Sequence, residues 1–233
     1  YDQKNRYNLQ IRKTLETILE TYQGDKNEDN YKKFMVYAKR FFFSNGIHHH
    51  YSTDKMIPEF DPAFLDTLIS KSDYSKMPNE GKKIEEFISF LKPILFDPKL
   101  DAKGVSLAAD VDNVKASSSN LYENVTQKEV EQFYKNKILP GVKEQPSWGL
   151  NSKVMKVNGK IEEQVWKSGG MYGAAIDKIV YWLEKAVTVA ENDAQKATLE
   201  ALVKFYKTGN LKDYDDYCVL WVKDTASRID IAN

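Results

Sequence analysis

The chain has 233 residues, of which 42% are hydrophobic and 12% aromatic, so it has enough apolar material for one large domain or two small ones and does not have the composition of a disordered protein. Its 34 basic residues balance its 34 acidic residues, whereas general nucleic-acid and anionic-membrane binders carry a basic excess. No run approaches the roughly 20 apolar residues of a membrane-spanning helix. We therefore expect neither nucleic acid nor a membrane as a partner.

Apolar residues recur at helical spacing through the first 98 residues. This spacing predicts a helix over residues 6–22 and a second helix from Asp29 to Asn45-Gly46, a pair that tolerates the left-handed backbone of a helix end. A third helix is expected to begin at Asp61-Pro62, and a fourth to span residues 84–95. The segment 1–98 is thus predicted to be helical.

Residues 99–168 have a mixed character. The stretch 100–125 is rich in Ser, Asn and Asp and has no helical stripe, which predicts loops with one or two short strands. Thr126 and Glu129 have the spacing of a capping box at the start of a helix. Asn158-Gly159 between alternating apolar residues predicts a β-hairpin.

The last segment, residues 169–233, predicts two or three further helices, one of them ended by Gly209. The expected fold class is therefore α+β and mainly helical, with helices around a small antiparallel β element. We expect a single domain over residues 1–233, with the order helical 1–98, mixed 99–168 and helical 169–233.

All the histidines of the chain are adjacent: His48, His49 and His50. In a strand, His48 and His50 would share one face and reach one metal ion. Zinc normally takes three or four ligands, so a further residue such as Asp54 or Glu59 would be needed. The interpretation that we favour is a loop or edge strand whose imidazoles hydrogen-bond to neighbours or line a cleft, and we predict no metal ligands.

The sequence holds no complete catalytic motif. It has no His-Glu-x-x-His, Cys-x-x-Cys, P-loop or Gly-x-Ser-x-Gly pattern. The single cysteine, Cys218, lies among aromatic residues at helical spacing, which is typical of a small core residue. We therefore predict no catalytic residue in this chain.

Four long segments resemble, in the same order, the bacterial, Bacteroides-type branch of the dipeptidyl peptidase III family. They are FFFSNGIHHHYSTDKMIPEF (41–60), GLNSKVMKVNGKIEEQVWKSGGMYGAAIDKIVYWLEKA (149–186), VAENDAQKA (189–197) and LWVKDTASRIDIAN (220–233). Members of that family are zinc exopeptidases that remove dipeptides from the N-termini of oligopeptides. Their zinc motifs, His-Glu-x-x-Gly-His and a later Glu-Glu-x-x-Ala-Asp/Glu, do not occur in this chain.

The resemblance therefore implies an N-terminal-side fragment, the lower lobe of a two-lobed zinc peptidase. The remainder of the same polypeptide would supply the zinc-binding lobe, and an oligopeptide substrate would bind between the lobes. Zinc would be held by the full-length enzyme and not by this fragment, which would be inactive alone. The compartment would be cytoplasmic, or periplasmic if a leader has been removed.

The resemblance also suggests substrate-cleft residues. Asn45, Gly46, His48, His49, His50 and Tyr51 would form a loop on the cleft wall that contacts the peptide by hydrogen bonds and by stacking on Tyr51, tuned near pH 6–7 by the imidazoles. Trp221 and Asp224 match a region that approaches the cleft, although the spacing of Trp221 also fits core packing. Two other functions stay open: a non-catalytic helical binding module related to the enzyme, and a metal-binding protein using His48 and His50.

Overall fold

The structure is a computed structural model that describes residues 3–229. This part of the chain is mainly helical, with nine α-helices and a small three-stranded mixed sheet, which confirms the α+β, mainly helical fold class. Among the same residues, no helix is both long and apolar enough to span a membrane. The chain divides into two compact units, Tyr1–Leu121 and Tyr122–Asn233. The assignment of one domain to residues 1–233 stays a prediction.

The first unit is built from helices around one hydrophobic core. Its helices are α1 (Asn8–Thr21), α2 (Asp29–Ser44), α3 (Phe64–Ser70), α4 (Ile84–Phe96) and the short α5 (Asn113–Ala116). The pairs Ile11 and Ile18 on α1, and Phe34 and Phe41 on α2, are each separated by about two helical turns and so lie on one helix face. All four side chains are fully buried, together with Leu68 of α3 and Phe87 of α4.

The end of α2 determines where the histidine segment begins. Asn45 has a left-handed backbone with a φ angle of 54°. The N–H groups of Asn45 and Gly46 donate to the carbonyls of Phe42 and Phe41 at 3.3 and 3.1 Å. This left-handed helix end confirms the prediction from the Asn-Gly pair.

The second unit contains the sheet. Its strands are β1 (Tyr122–Glu123), β2 (Ser152–Val157) and β3 (Lys160–Val165), in the order β1-β2-β3. β2 and β3 are antiparallel and are joined by Asn158 and Gly159, whose φ angles of 49° and 79° are those of a tight hairpin turn. The hairpin prediction is therefore confirmed, and β1 adds a short parallel partner to β2.

Four helices complete the second unit: α6 (Gln127–Lys135), α7 (Gly173–Val187), α8 (Asp193–Thr208) and α9 (Leu211–Lys223). The predicted capping box opens α6, since Thr126 Oγ1 accepts from the Glu129 N–H at 3.3 Å and a Glu129 carboxylate oxygen accepts from the Thr126 N–H at 2.9 Å. Gly209 ends α8 in the left-handed conformation. Cys218 is partly buried against a cluster centred on Leu202, Phe205, Leu211 and Tyr217.

Candidate functional site

The histidine segment forms a closed loop in the first unit. His48 makes an antiparallel bridge with Lys55. Beyond this bridge, the His49 N–H donates to the Asp54 carbonyl at 2.8 Å, and the Thr53 N–H donates to the His49 carbonyl at 2.9 Å. The loop therefore has a defined backbone shape, and residues 50–52 form its turn.

A second segment, residues 101–104, fastens this loop from one side. The Lys55 N–H donates to the Ala102 carbonyl at 3.0 Å, and the Gly104 N–H donates to the Thr53 carbonyl at 2.8 Å. An ion pair of 2.5 Å between Lys103 and Asp54 joins the same two segments on the solvent side. Main-chain hydrogen bonds therefore hold the loop both within itself and to the neighbouring 101–104 segment.

His48 points into the protein. Its side chain is buried, with 7% of the residue exposed, and its Nε2 lies 2.7 Å from the Asp101 carbonyl oxygen. Since a carbonyl only accepts hydrogen bonds, Nε2 carries the proton, and the Ser118 hydroxyl lies 3.2 Å from the same nitrogen. Burial lowers the pKa of His48 below its ordinary value, because the charged imidazole would lose its water. His48 is thus a neutral residue that anchors the loop.

Four aromatic rings cover the outer side of the loop, and we call Phe43, His49, His50 and Tyr51 the aromatic face. The ring of His50 lies 4.1 Å from Tyr51, 4.6 Å from His49 and 4.7 Å from Phe43, centroid to centroid. Tyr51 is 84% exposed and Phe43 is 73% exposed. Rings at these distances form a continuous surface that can stack on planar groups and attract cations.

The cluster does not fit a zinc ion. A strand would place His48 and His50 on one face, but residues 50–52 form a turn. His48 uses Nε2 for the Asp101 carbonyl, and His50 Nδ1 lies 3.4 Å from the Ser44 hydroxyl. Throughout residues 3–229, no group of three or more His, Cys, Asp or Glu side chains is placed to hold a metal ion.

Trp221 and Asp224 lie together in the second unit, at the end of α9. Both line a surface pocket of about 450 Å³ that Thr198 and Ile229 also border. Trp221 is 38% exposed and is therefore not a core residue. The Asp224 carboxylate accepts from the Ser227 hydroxyl at 2.5 Å, and this bond contributes most to lowering the pKa of Asp224 below its ordinary value. Asp224 thereby shapes the turn that follows α9.

The structure thus places the eight predicted cleft residues in two local groups. Asn45, Gly46, His48, His49, His50 and Tyr51 share the loop of the first unit, and Trp221 and Asp224 share the pocket of the second. Their contact with a peptide stays a prediction. The sequence interpretation did not include Phe43, although three consecutive aromatic residues at the end of α2 cannot all face the core, because successive helical residues point in different directions.

Lowering the pH below 6.5 is expected to destabilise the first unit through His48. The His48 imidazole binds a proton near pH 6.5 in the unfolded chain, whereas burial in the folded state lowers its pKa, so that it binds the proton only at lower pH. The stability that depends on neutral His48 is therefore fully present above pH 6.5 and is lost as the pH falls below it. The variant His48→Gln should flatten this slope in urea unfolding followed by far-UV circular dichroism between pH 5 and 8. Equal slopes in the two proteins would contradict the assignment.

Comparison with known proteins bears on the second unit most directly. Residues 110–232 match peptidase family M49, which is just over half of the chain. The match includes all three strands, helices α5 to α9, and both Trp221 and Asp224. No curated protein matches the chain. A match of this extent shows that the chain is a peptidase-related protein and belongs to peptidase family M49, the dipeptidyl peptidase III family.

Proposed function

We propose that this chain is the substrate-cleft, lower-lobe portion of a zinc-dependent exopeptidase that releases dipeptides from the N-termini of oligopeptides, and that it is inactive by itself. Family M49, which the chain matches, is zinc-dependent in general. The zinc motifs of the dipeptidyl peptidases do not occur in the sequence, and residues 3–229 contain no group of three or more His, Cys, Asp or Glu side chains placed to hold a metal ion. The metal and its ligands would then belong to the remainder of the polypeptide.

The aromatic face is the observation that carries a peptide-binding role. Tyr51 is a large, exposed ring on the turn of the loop, and Phe43 is a large, exposed ring at the end of α2. Rings of this kind offer contact area at a small cost in side-chain entropy, because each has only two rotatable side-chain bonds. The backbone amides and side chains of an oligopeptide are planar or apolar groups that such rings contact well. The rings of His49 and His50 would extend the same contact surface.

The sheet offers a second mode of contact. β3 lies at an edge of the three-stranded sheet, and its side chains alternate between exposed and half-buried positions. Extended peptides commonly bind by adding a strand to such an edge, where main-chain hydrogen bonds supply the affinity.

The proposal is tested by dipeptide release from an arginine-rich oligopeptide. The natural full-length gene product and the 233-residue chain would be compared, each with and without a zinc chelator. We expect release only by the full-length protein, and we expect the chelator to abolish it. Cleavage by the 233-residue chain alone would contradict the proposal and return the histidines to consideration as catalytic residues.

If neither protein cleaves the peptide, titration calorimetry with the same peptide separates the remaining functions. Binding without cleavage by both proteins would favour the non-catalytic binding module. For the role of the histidines, KM would be measured between pH 5.5 and 8. An unchanged KM over this range would contradict the pH-dependent contact that the sequence predicts for this loop.

A further inference from the structure

The loop that carries the aromatic face is supported from below by buried polar side chains. Asn8, at the start of α1, is fully buried, and its Oδ1 accepts from the Ile47 N–H at 3.2 Å. Gly46 packs so closely on the same side chain that a Cβ atom at Gly46 would lie 2.2 Å from Asn8 Nδ2. Asn8 therefore determines where the first residues of the loop lie.

A second support reaches the loop through His48. Asn5 is also fully buried, and its Nδ2 donates to a carboxylate oxygen of Asp101 at 2.8 Å. The backbone carbonyl of Asp101 accepts from His48 Nε2, next to the hydroxyl of Ser118. We call Asn5, Asn8, His48, Asp101 and Ser118 the polar bracket. It joins the N-terminal segment and the 101–118 segment to the base of the loop.

The hydrogen bonds of the polar bracket are better suited to fixing the position of the loop than to raising the stability of the fold. Burying amide and imidazole groups is unfavourable unless each is hydrogen-bonded. Apolar side chains of similar size would avoid that cost, but they would define the position of the base of the loop less specifically because apolar contacts are not directional. Satisfied hydrogen bonds in a buried network select one arrangement. The bracket ends at His48, directly before His49, His50 and Tyr51 of the aromatic face.

We propose that His48 and Asn8 are positioning residues for peptide binding, which hold the loop so that the aromatic face is already in place before the peptide arrives. This inference rests on the proposed function, which assigns peptide contact to that face. A face that is ordered in the free protein binds without the entropic cost of ordering it. Loss of the bracket is therefore expected to weaken binding of the peptide while leaving the chemical step unchanged.

The test compares His48→Met, which keeps a side chain of similar bulk without the N–H donor, with His48→Gln, which can still donate to the Asp101 carbonyl. Amide hydrogen exchange and peptidase kinetics would be measured on the full-length gene product. We expect His48→Met to raise the exchange rates of the His49 and Thr53 amides about tenfold and to raise KM about three- to tenfold with kcat unchanged. His48→Gln should stay within about twofold of the wild type in both readouts. Ile69→Val, in the core on α3, serves as the control for general destabilisation. It should change neither the exchange rates of the loop amides nor KM.

The outcomes separate this inference from the proposed function. If His48→Met speeds amide exchange in the loop and KM does not change, His48 does position the loop, and the assignment of peptide contact to the aromatic face is overturned. If His48→Met leaves amide exchange in the loop unchanged, or if His48→Gln behaves like His48→Met, positioning by this hydrogen bond is overturned. Should His48→Met not fold, Ser118→Ala removes one bracket contact with the fold retained. It is then expected to speed loop exchange about two- to threefold, and an unchanged rate would overturn the inference.

Discussion

Replacing Gly46 with alanine is expected to lower the free energy of unfolding of the first unit by about 2–4 kcal/mol. Gly46 has a φ angle of 144°, a backbone conformation that residues with a side chain rarely adopt. The added methyl group would also lie 2.2 Å from Asn8 Nδ2, and Asn8 is fully buried and bonded to Ile47. Because Asn8 has no room to move away, strain and overpacking act together.

The matched control is Gly81→Ala. Gly81 also has a positive φ angle, 78°, but a Cβ atom there would have no heavy atom within 4 Å. This variant should cost only the backbone strain, about 1 kcal/mol. All four tryptophans, at positions 148, 166, 182 and 221, lie in the second unit, and the first unit contains none. Urea unfolding would therefore be followed by far-UV circular dichroism and by amide exchange within α1 and α2. Equal losses in the two variants would show that the contact with Asn8 has no effect.

On the proposed function, replacing Tyr51 with alanine is expected to raise the KM of the full-length gene product about tenfold. Loss of one aromatic stacking contact is worth about 0.5–1.5 kcal/mol, and the upper part of that range corresponds to roughly tenfold in affinity. Tyr51 is almost fully exposed, so its removal should leave the free energy of unfolding unchanged. If the ring contacts substrate equally in the ground state and the transition state, kcat is also unchanged.

Tyr181→Ala is the control for this prediction. Tyr181 is an exposed tyrosine on α7 of the second unit, paired with Trp182 and Lys185, and the proposed function gives it no role. Steady-state kinetics with the same oligopeptide should show a raised KM only for Tyr51→Ala. An unchanged KM for Tyr51→Ala would remove the aromatic face from the substrate-binding surface.

Several parts of the fold follow from the sequence alone, because their signals lie within a few residues of one another. Asn158-Gly159 predicts the hairpin since only a few residue types accept the positive φ angles of its turn. Thr126 and Glu129 predict the start of α6, and Asn45-Gly46 predicts the end of α2, for comparably local reasons. Helical periodicity likewise predicts the mainly helical class, because the apolar residues of each amphipathic face recur every three or four positions along the chain.

The base of the candidate site depends on tertiary structure. Asn5 and Ser118 are 113 positions apart in the chain, and His48 and Asp101 are 53 apart, yet they meet beneath one loop. No local pattern indicates which carbonyl a buried imidazole will face. A partial signal exists for Asn8, which stands three residues before Ile11 on the apolar side of α1 and therefore had to be buried.

The sequence by itself determined the class of fold, the position of the histidine loop after α2 and the family resemblance. Only the tertiary structure decided that His48 is buried, that His50 is half-buried and that His49 and Tyr51 are exposed. The strand alternation that would have put His48 and His50 side by side gives way to a turn, because the His49 N–H donates to the Asp54 carbonyl and the Lys55 N–H donates to the Ala102 carbonyl. Hydrogen-bond partners outside the histidine segment, and not the spacing within it, determine which side of the loop each side chain takes.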